Sequence, residues 1–471
     1  MQYRKAHFIG ISGKGMSATA LLLRQSGTEI SGSDEGFYPP VSDYLRAALI
    51  PFKEGYKPEN IPSDADVIVI GKNAKLTPET NSEVRTAFAS GIPVKSFPDI
   101  LEELTAGKET IVVAGSYGKS TCTALLSWCL KESGKDPSYF IGEVTKGFES
   151  YAHLGAGNVF VLEGDEYPSS NWDHKSKFLH YNAKNVLLTS ATHDHINIYP
   201  THKEYLKPFT KLLDSLSPKG LLVVSSDEPH AKALSEKSPA TKIFYSIEGS
   251  QSWHAANIRY SVETSFELMR GAEKVATLST SLLGRHNIEN IVGISAMLLE
   301  KKLITPEDLK GGVASFKGVR RRMDLLSPLS AVPVYEGFGS SYEKAKSAIA
   351  AAKLHFPDRR LLVLFEPHTF TWRNRASLIQ YRNVFSGAQK VYIYEPASQG
   401  ASAHEQLTQE EIVECIRANG FDVTAVHTPE ETLVLFEQEL LPADVILILT
   451  SGSFDGLIES IPKLAEKKFP K

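Results

Sequence analysis

One stretch, Ile111–Thr121 (IVVAGSYGKST), constrains this chain more than any other. The apolar run has to end as a strand, because Gly115-Ser116-Tyr117-Gly118 breaks it and Lys119-Ser120-Thr121 opens an amphipathic segment, TALLSWCLKES. Such a unit cradles phosphate. Glycines let backbone N–H groups converge on oxygens, Lys119 meets the terminal phosphates, and the Ser120 hydroxyl is a ligand for Mg²⁺. The full P-loop pattern has a glycine where Val113 stands, so this is a shortened version, and a purely structural strand–helix turn would use the same glycines. The functional reading gains weight from a second glycine-rich turn near the start of the chain and from a carboxylate–histidine set downstream.

A chain of 471 residues has room for roughly three domains, each with its own core. A net charge of −4 without a long basic block argues against nucleic acid as a partner, since Arg320-Arg321-Arg322 is too short to count. Cys122, Cys129 and Cys415 have no metal-ligand spacing, and so sparse a set points to a reducing compartment. Cys122 and Cys129 lie one heptad apart on the predicted helix and read as small packing residues. The opening apolar run reaches a glycine too soon for a signal peptide, and no run approaches the ~18 apolar residues of a membrane span. The expectation is a cytoplasmic protein with no membrane partner, a monomer or weak dimer.

The pattern is α/β in three parts. In residues 1–107, AHFIGI, TEISGSD, ADVIVIGK and IPVKSF read as strands separated by polar helices, the signature of a doubly wound parallel sheet. Residues 108–323 start a second sheet at TIVVAG. There VFVLEGDE (159–166), KNVLLTSATHDH (184–195) and GLLVVSSDE (220–228) are strands with polar exits, 243–283 reads as a smaller antiparallel patch, and 284–302 as a helix. Residues 324–471 form a third α/β unit around RRLLVLFEPH, QKVYIYEPAS and ADVILILTSGSFDG.

Polar strand exits matter because open parallel sheets bind ligands beyond the carboxyl ends of their strands. In the first turn the glycines fall at Gly10, Gly13 and Gly15, which fits a diphosphate at a helix N-terminus better than the G-x-G-x-x-G dinucleotide pattern; Asp34 follows the second strand and can meet a ribose or base. Glu163, Glu166 and His195 stand at strand exits beside the Gly-Lys-Ser turn, where carboxylates and an imidazole can hold Mg²⁺ against ATP phosphates. A solitary glutamate or histidine at such a place is ordinarily just solvated. Asn287 and Asn290 share one helix face and can cap the helix or read an adenine edge. The arginine run between the second and third parts is normally solvent-exposed, yet an arginine there can close over a triphosphate.

In order along the chain, these motifs resemble the Mur ligase family, ATP-dependent amide-forming enzymes of peptidoglycan assembly. HFIGISGKGMS resembles the start of the members that bind UDP-N-acetylmuramate, AGSYGKST their G-T-H-G-K-T-T turn, EGDEYPSS with THDH their E-A-D-E and D-H elements, and GRHNIENI their G-x-H-N-x-x-N. The resemblance implies a Rossmann-like N-terminal domain, a central P-loop ATPase-like domain and a Rossmann-like C-terminal domain. It implies that Gly10, Ser12, Gly13, Gly15, Met16, Ser17, Ser33 and Asp34 bind the UDP-sugar. ATP would lie on Gly115, Ser116, Tyr117, Gly118, Lys119, Ser120, Thr121, Asn287, Asn290 and Arg322. Lys119, Glu163 and His195 would be catalytic, with Ser120 and Glu163 holding one Mg²⁺ and His195 helping to hold a second.

Two members compete as the nearest relative: the enzyme that adds L-alanine to UDP-N-acetylmuramate, and the murein peptide ligase, which adds the recycled tripeptide L-alanyl-γ-D-glutamyl-meso-diaminopimelate. DEYPSSNWDHKSKFLHY resembles the latter's D-E-Y…D-x-R-x-K-F-x-x-Y run, and TSGSFDGL its glycine-rich ending, which favours the tripeptide. The chain departs from the family at several points. Ser116-Tyr117 replaces Thr-His, and Gly337-Phe338-Gly339-Ser340-Ser341-Tyr342 stands where relatives have D-Y-G-H-H-P or D-F-A-H-H-P, leaving Glu336 as the expected substitute for the lost acid. FEPHTFTWRNR carries Trp372 where an arginine is expected, so Arg373 and Arg375 become the candidate peptide-carboxylate binders. The 337–342 departures also keep open a nucleotide-sugar sensor that has lost turnover.

Overall fold

Lys5–Ile9 (β1) is buried along four of its five residues, as a strand in the middle of a sheet covered on both faces must be. Glu29–Asp34 (β2), Phe52–Glu54 (β3), Val67–Ile70 (β4) and Val94–Lys95 (β5) complete a parallel sheet in the order β3-β2-β1-β4-β5. The order turns outward from β1, so the loop after β1 opens at the sheet's switch point. The helix Lys14–Gln25 follows that loop. The computed structural model describes residues 3–195, 198–249, 251–395 and 406–471.

The second sheet comprises Glu109–Ala114 (β6), Ser138–Phe140 (β7), Ala152–His153 (β8), Val159–Glu163 (β9), Asn185–Leu188 (β10), Leu221–Ser225 (β11), Thr241–Tyr245 (β12), Trp253–Arg259 (β13), Thr264–Arg270 (β14) and Glu273–Thr280 (β15). Its order is β15-β14-β13-β12-β11-β10-β6-β9-β7-β8. The strand before the Gly-Lys-Ser turn, β6, therefore runs between β9 and β10, parallel to both. The patch expected at 243–283 is no separate structure: β12 pairs parallel with β11, Tyr245 pairs with Trp253, and β13 to β15 extend the same sheet. Cys122 and Cys129 are buried packing residues on the helix Lys119–Glu132, and burial pushes both thiols well above their ordinary pKa.

The third sheet holds Arg322–Leu325 (β16), Val334–Phe338 (β17), Arg360–Phe365 (β18), Lys390–Tyr394 (β19), Val423–Val426 (β20) and Asp444–Thr450 (β21), in the order β16-β17-β21-β18-β19-β20. Only β16 pairs antiparallel among the described pairings of this sheet. The end of the QKVYIYEPAS stretch, residues 396–398, lies outside the described residues. The chain divides into two compact units. The larger runs to Asn257 and adds Phe266–Ser279 and Ile288–Lys317; the smaller takes Ile258–Ser265, Thr280–Asn287 and the chain from Gly318 onward. The first two sheets thus share a unit, and the boundary proposed at 107 follows the helix Phe97–Thr105. No described helix is long and apolar enough to cross a membrane.

Trp372 is fully buried in the core of the third sheet, 5.0 Å from the Phe365 ring and 5.2 Å from that of Tyr381. Its Nε1–H donates to the Gly339 carbonyl at 2.7 Å. The residue that departs from the family pattern has become a core side chain, and it ties down the equally divergent 337–342 loop. Trp372→Ala is expected to destabilise the smaller unit by about 3–5 kcal/mol, read as a lowered midpoint of denaturant unfolding.

Candidate functional site

The glycines of the Gly-Lys-Ser turn have no substitute. Gly115 has φ +142° and a Cβ there would lie 2.2 Å from Thr189 Oγ1; Gly118 has φ +81°, where a Cβ would lie 2.7 Å from Asn290 Oδ1. The turn is held to the end of β10, with Tyr117 N–H donating to Ser190 Oγ at 2.9 Å and the Thr189 hydroxyl donating to the Tyr117 carbonyl at 2.5 Å. Ser116 Oγ pairs with the Tyr205 hydroxyl at 2.9 Å. This is a tight backbone cradle at the N-terminus of the helix Lys119–Glu132, where partial positive charge favours an anion.

Two sets of side chains meet at the cradle. In the first, Ser120 Oγ donates to Glu163 Oε1 at 2.7 Å, while Glu163 Oε2 accepts the Gly142 N–H at 2.6 Å. A hydroxyl beside a carboxylate is a set of hard oxygen donors of the kind Mg²⁺ prefers, so these two residues fit the cation that the motif implies. In the second, Lys119 Nζ lies 3.0 Å from Glu166 Oε2, and His195 Nε2 lies 3.2 Å from Glu166 Oε1. His195 Nδ1 is 2.8 Å from the Tyr167 hydroxyl. A neutral ring satisfies both contacts by giving Nε2–H to Glu166 and accepting the Tyr167 proton at Nδ1. His195 has φ +56°, a conformation non-glycine residues rarely adopt.

Glu166 is 1% exposed. Burial alone would raise its carboxyl pKa, but the Lys119 charge and the His195 hydrogen bond outweigh it and hold the group at about 2. Burial likewise opposes the charge on Lys119, and Glu166 beside it raises the ammonium pKa above its ordinary value. The resemblance implies that Ser120 and Glu163 hold one Mg²⁺ and that His195 helps to hold a second; in the structure His195 contacts Glu166 and Tyr167 and makes no contact with Glu163 among those described. His195 addresses Glu166, and Glu166 is the site residue that the family alignment passed over. Its strand-exit position was visible in the sequence; its partner was not.

The other candidates divide. Asn290 abuts Gly118 and accepts from Cys122 Sγ at 3.3 Å. Asn287 donates to the Leu283 carbonyl at 2.7 Å, as a helix-start residue does. Arg322 lies in β16, where its backbone is in register with Gly337. Its neighbour Arg321 donates to Glu336 Oε1 at 2.7 Å and to the Gly452 carbonyl at 2.8 Å. Glu336 is buried, which raises its carboxyl pKa against the pull of Arg321, so it is no open acid awaiting a ribose. Arg373 is 4% exposed, and Arg375 pairs with Glu411 at 2.7 Å. Arg373 is thus not displayed as an exposed carboxylate binder, whereas Arg375 is exposed with Glu411 as its partner.

In the first turn, Ser12 N–H donates to Asp34 Oδ2 at 2.7 Å, and the Tyr56 hydroxyl donates to Asp34 Oδ1 at 3.0 Å. Asp34 therefore shapes the loop directly. Gly10 takes φ +85°, Gly15 faces Phe97 so closely that a Cβ would lie 2.8 Å from the ring, and Gly13 is exposed at the helix start. Three candidates turn inward, contrary to a ligand-facing role. Met16 is buried, Ser17 pairs with the Tyr151 hydroxyl at 2.6 Å, and Ser33 donates to the buried Glu83 at 2.8 Å. A cavity of about 670 Å³ lies alongside, lined by Glu35, Gly55, Tyr56, Lys75, Thr80 and Asn81, within the size range of small-molecule sites. Only a polar loop signal at 73–81 marked it in the sequence.

Lys119→Ala is expected to lower ATP-dependent turnover about a hundredfold or more, the scale of one lost electrostatic donor, in a steady-state phosphate-release assay. Glu163→Gln is expected to shift the magnesium titration of turnover to higher concentration, since an amide is a poorer ligand for a hard cation. A shift seen in Glu166→Gln and absent in Glu163→Gln would move the ligand role to Glu166.

Comparison with known proteins bears on this geometry. The family profile "Mur ligase family, catalytic domain" matches residues 5–109, and "Mur ligase middle domain" matches residues 113–298. The chain is 30% identical to a UDP-N-acetylmuramate–L-alanine ligase of Roseiflexus sp. (strain RS-1), over 95% of this chain and 96% of that one. It is 28% identical to the UDP-N-acetylmuramate–L-alanyl-γ-D-glutamyl-meso-2,6-diaminoheptandioate ligase of Escherichia coli (strain K12), over 98% and 99% of the two chains. The crystal structure of a UDP-N-acetylmuramate–alanine ligase from Thermotoga maritima superposes with a TM-score of 0.76 at 20% identity, covering 98% of this chain and 99% of that one. A phosphate cradle on the strand between Glu163 and His195, within a match that runs nearly end to end, leads to one conclusion: the chain belongs to the Mur ligase family and is an ATP-dependent ligase that forms a C–N bond.

Proposed function

We propose that this protein joins the tripeptide L-alanyl-γ-D-glutamyl-meso-diaminopimelate to the lactoyl carboxylate of UDP-N-acetylmuramate. The observation that supports the ATP chemistry best is the meeting of Lys119, Glu166 and His195 beside the Ser120–Glu163 pair. The carboxylate takes the γ-phosphoryl group of ATP, releasing ADP and giving an acyl phosphate. The peptide amine then attacks the acyl carbon, loses its proton and expels inorganic phosphate as the amide bond forms. Positioning and charge neutralisation suffice, and no covalent enzyme nucleophile is needed. Lys119 neutralises the β- and γ-phosphates. Glu166 positions the lysine and the His195 ring. Ser120 and Glu163 would hold Mg²⁺, which when bound would add to the neutralisation of phosphate charge. Asn287, Asn290 and Arg322 are proposed for the nucleotide, and the Gly10–Gly15 turn with the adjoining cavity for the UDP-sugar.

Three features support the tripeptide. The segment 165–181, which resembles that of the murein peptide ligase, folds back on itself directly after β9: Ser169 N–H donates to the Lys175 carbonyl at 2.8 Å, and Lys177 pairs with Asp165 at 2.5 Å. Ser340 and Ser341 are smaller than the histidines of the family motif and leave room for a bulky acceptor. Arg375, 44% exposed, can exchange Glu411 for an incoming carboxylate. Addition of free L-alanine is the second reading, favoured by the names of the Roseiflexus and Thermotoga relatives.

Phosphate release from ATP with UDP-N-acetylmuramate, measured with L-alanine and with the tripeptide, separates the two. The tripeptide is expected to give the higher kcat/KM. Preferential use of L-alanine would leave the second reading, and release with neither acceptor would leave the sensor.

A further inference from the structure

Outside the phosphate site, one cluster of side chains has more negative charge than its partners can balance. The helix Phe97–Thr105 opens with a capping box, in which Asp99 Oδ2 accepts the Ser96 N–H at 2.8 Å and the Ser96 hydroxyl at 2.7 Å. This clamps Asp99 and leaves its other oxygen, Oδ1, directed elsewhere. Glu102 is three residues on and so lies on the same helix face. Both face His180, at the end of the short helix Lys177–His180: the ring Nδ1 is 3.5 Å from Asp99 Oδ1 and 3.2 Å from Glu102 Oε2. One ligand atom from each of the three residues lies within 4.8 Å of the others.

The opposite ring nitrogen is also held. His180 Nε2 is 2.9 Å from Asp173 Oδ2, and Asp173 Oδ1 in turn accepts the Lys175 N–H at 2.9 Å. A carboxylate that accepts a hydrogen bond from Nε2–H fixes the tautomer whose Nδ1 lone pair points at Asp99 and Glu102, which is how outer carboxylates orient metal-binding histidines. Among the described residues, no lysine or arginine pairs with Asp99, Glu102 or Asp173. His180 is 7% exposed, so solvent screens its side of the cluster weakly. Even a doubly protonated imidazole would leave three carboxylates facing one positive charge.

We propose that Asp99, Glu102 and His180 bind a divalent cation of the zinc class, with Asp173 orienting the histidine. One imidazole nitrogen with two carboxylate oxygens is a mixed donor set suited to Zn²⁺, with water completing the coordination; Ca²⁺ and Mg²⁺ prefer sets made of oxygen. The cation would tie the helix that leads into β6 to the segment that follows Glu166. Asn182 already bridges the same elements, donating to the Glu102 carbonyl at 2.8 Å and to Thr105 Oγ1 at 3.1 Å. None of these residues belongs to the phosphate site, so the cation would be bound without nucleotide.

The test is a titration of the metal-stripped full chain with Zn²⁺ in the absence of nucleotide, followed by competition with a chromophoric chelator and by thermal melting. The expected result is one site in the wild type, lost in His180→Gln, weakened about tenfold or more in Glu102→Gln and in Asp173→Asn, and unchanged in Glu163→Gln. Bound Zn²⁺ should raise the melting temperature of the wild type and fail to do so in Glu102→Gln. Glu102 is half exposed, so its amide variant preserves the fold and carries the test if His180→Gln does not. The proposal is overturned if the wild type takes up no Zn²⁺, or if it binds no more tightly than Glu102→Gln, in which case a proton on His180 is the only cation the cluster holds.

Discussion

An ammonium and a carboxylate, buried together at the carboxyl end of a parallel sheet, set the terms for the rest of this site. Lys119 is 15% exposed and Glu166 1%, so neither charge has water enough to be stable alone. Removing one partner from a pair so placed typically costs about 3–5 kcal/mol, because the survivor remains buried and charged. Glu166 also receives Tyr205, at 3.3 Å, and the His195 ring. One carboxylate therefore links Lys119 to the exit of β10. A phosphate arriving at Lys119 would bring a second anion to a lysine whose position Glu166 has already fixed.

That linkage depends on strand order. With β6 between β9 and β10, the chain ends bearing Glu163–Glu166 and Thr189–His195 fall on either side of the glycine turn. Gly115 approaches Thr189 and Ser190 too closely for any side chain, and Gly118 does the same with Asn290. The glycines thus serve packing as much as conformation. A bulkier residue at 115 would push β10's exit, and with it His195, away from Glu166.

The third sheet shows how residues that depart from a family pattern are reused. Trp372, read as a change at a functional position, and Glu336, read as the substitute for a lost acid, are both buried. Glu336 holds Arg321, which also reaches the Gly452 carbonyl, and Arg321 lies over the Phe338 ring at 5.4 Å. Glu366 accepts Thr450 and pairs with His368 Nδ1 at 3.2 Å. The carboxyl ends of β17, β18 and β21 are knitted by these contacts, so the loss of the D-x-x-H-H-P type of sequence leaves an ordered edge.

By itself the sequence determined the long buried strands at the centre of each sheet and the Gly-Lys-Ser turn with the helix that follows it, because each is written locally. Apolar runs ending in glycine or charge mark strand exits, and a Gly-Lys-Ser step cannot be read without its helix. The same local signals missed Phe52–Glu54, Ser138–Phe140, Ala152–His153, Arg322–Leu325, Val334–Phe338 and Val423–Val426, and they read 243–283 as a smaller antiparallel patch although it continues the large sheet with β12 parallel to its neighbours, since strand pairing is a long-range matter. Only the tertiary structure decided the partners. Glu163 and Glu166 differ by three positions and look interchangeable in sequence, yet one meets Ser120 and the other meets Lys119 and His195. Ser17 and Ser33 look like ligand-facing hydroxyls beside a glycine turn, yet Tyr151 and Glu83 claim them in the interior. The reason is physical: a residue's type fixes what it can bond to, while burial and the neighbours that strand order brings within about 3 Å decide which bond it makes.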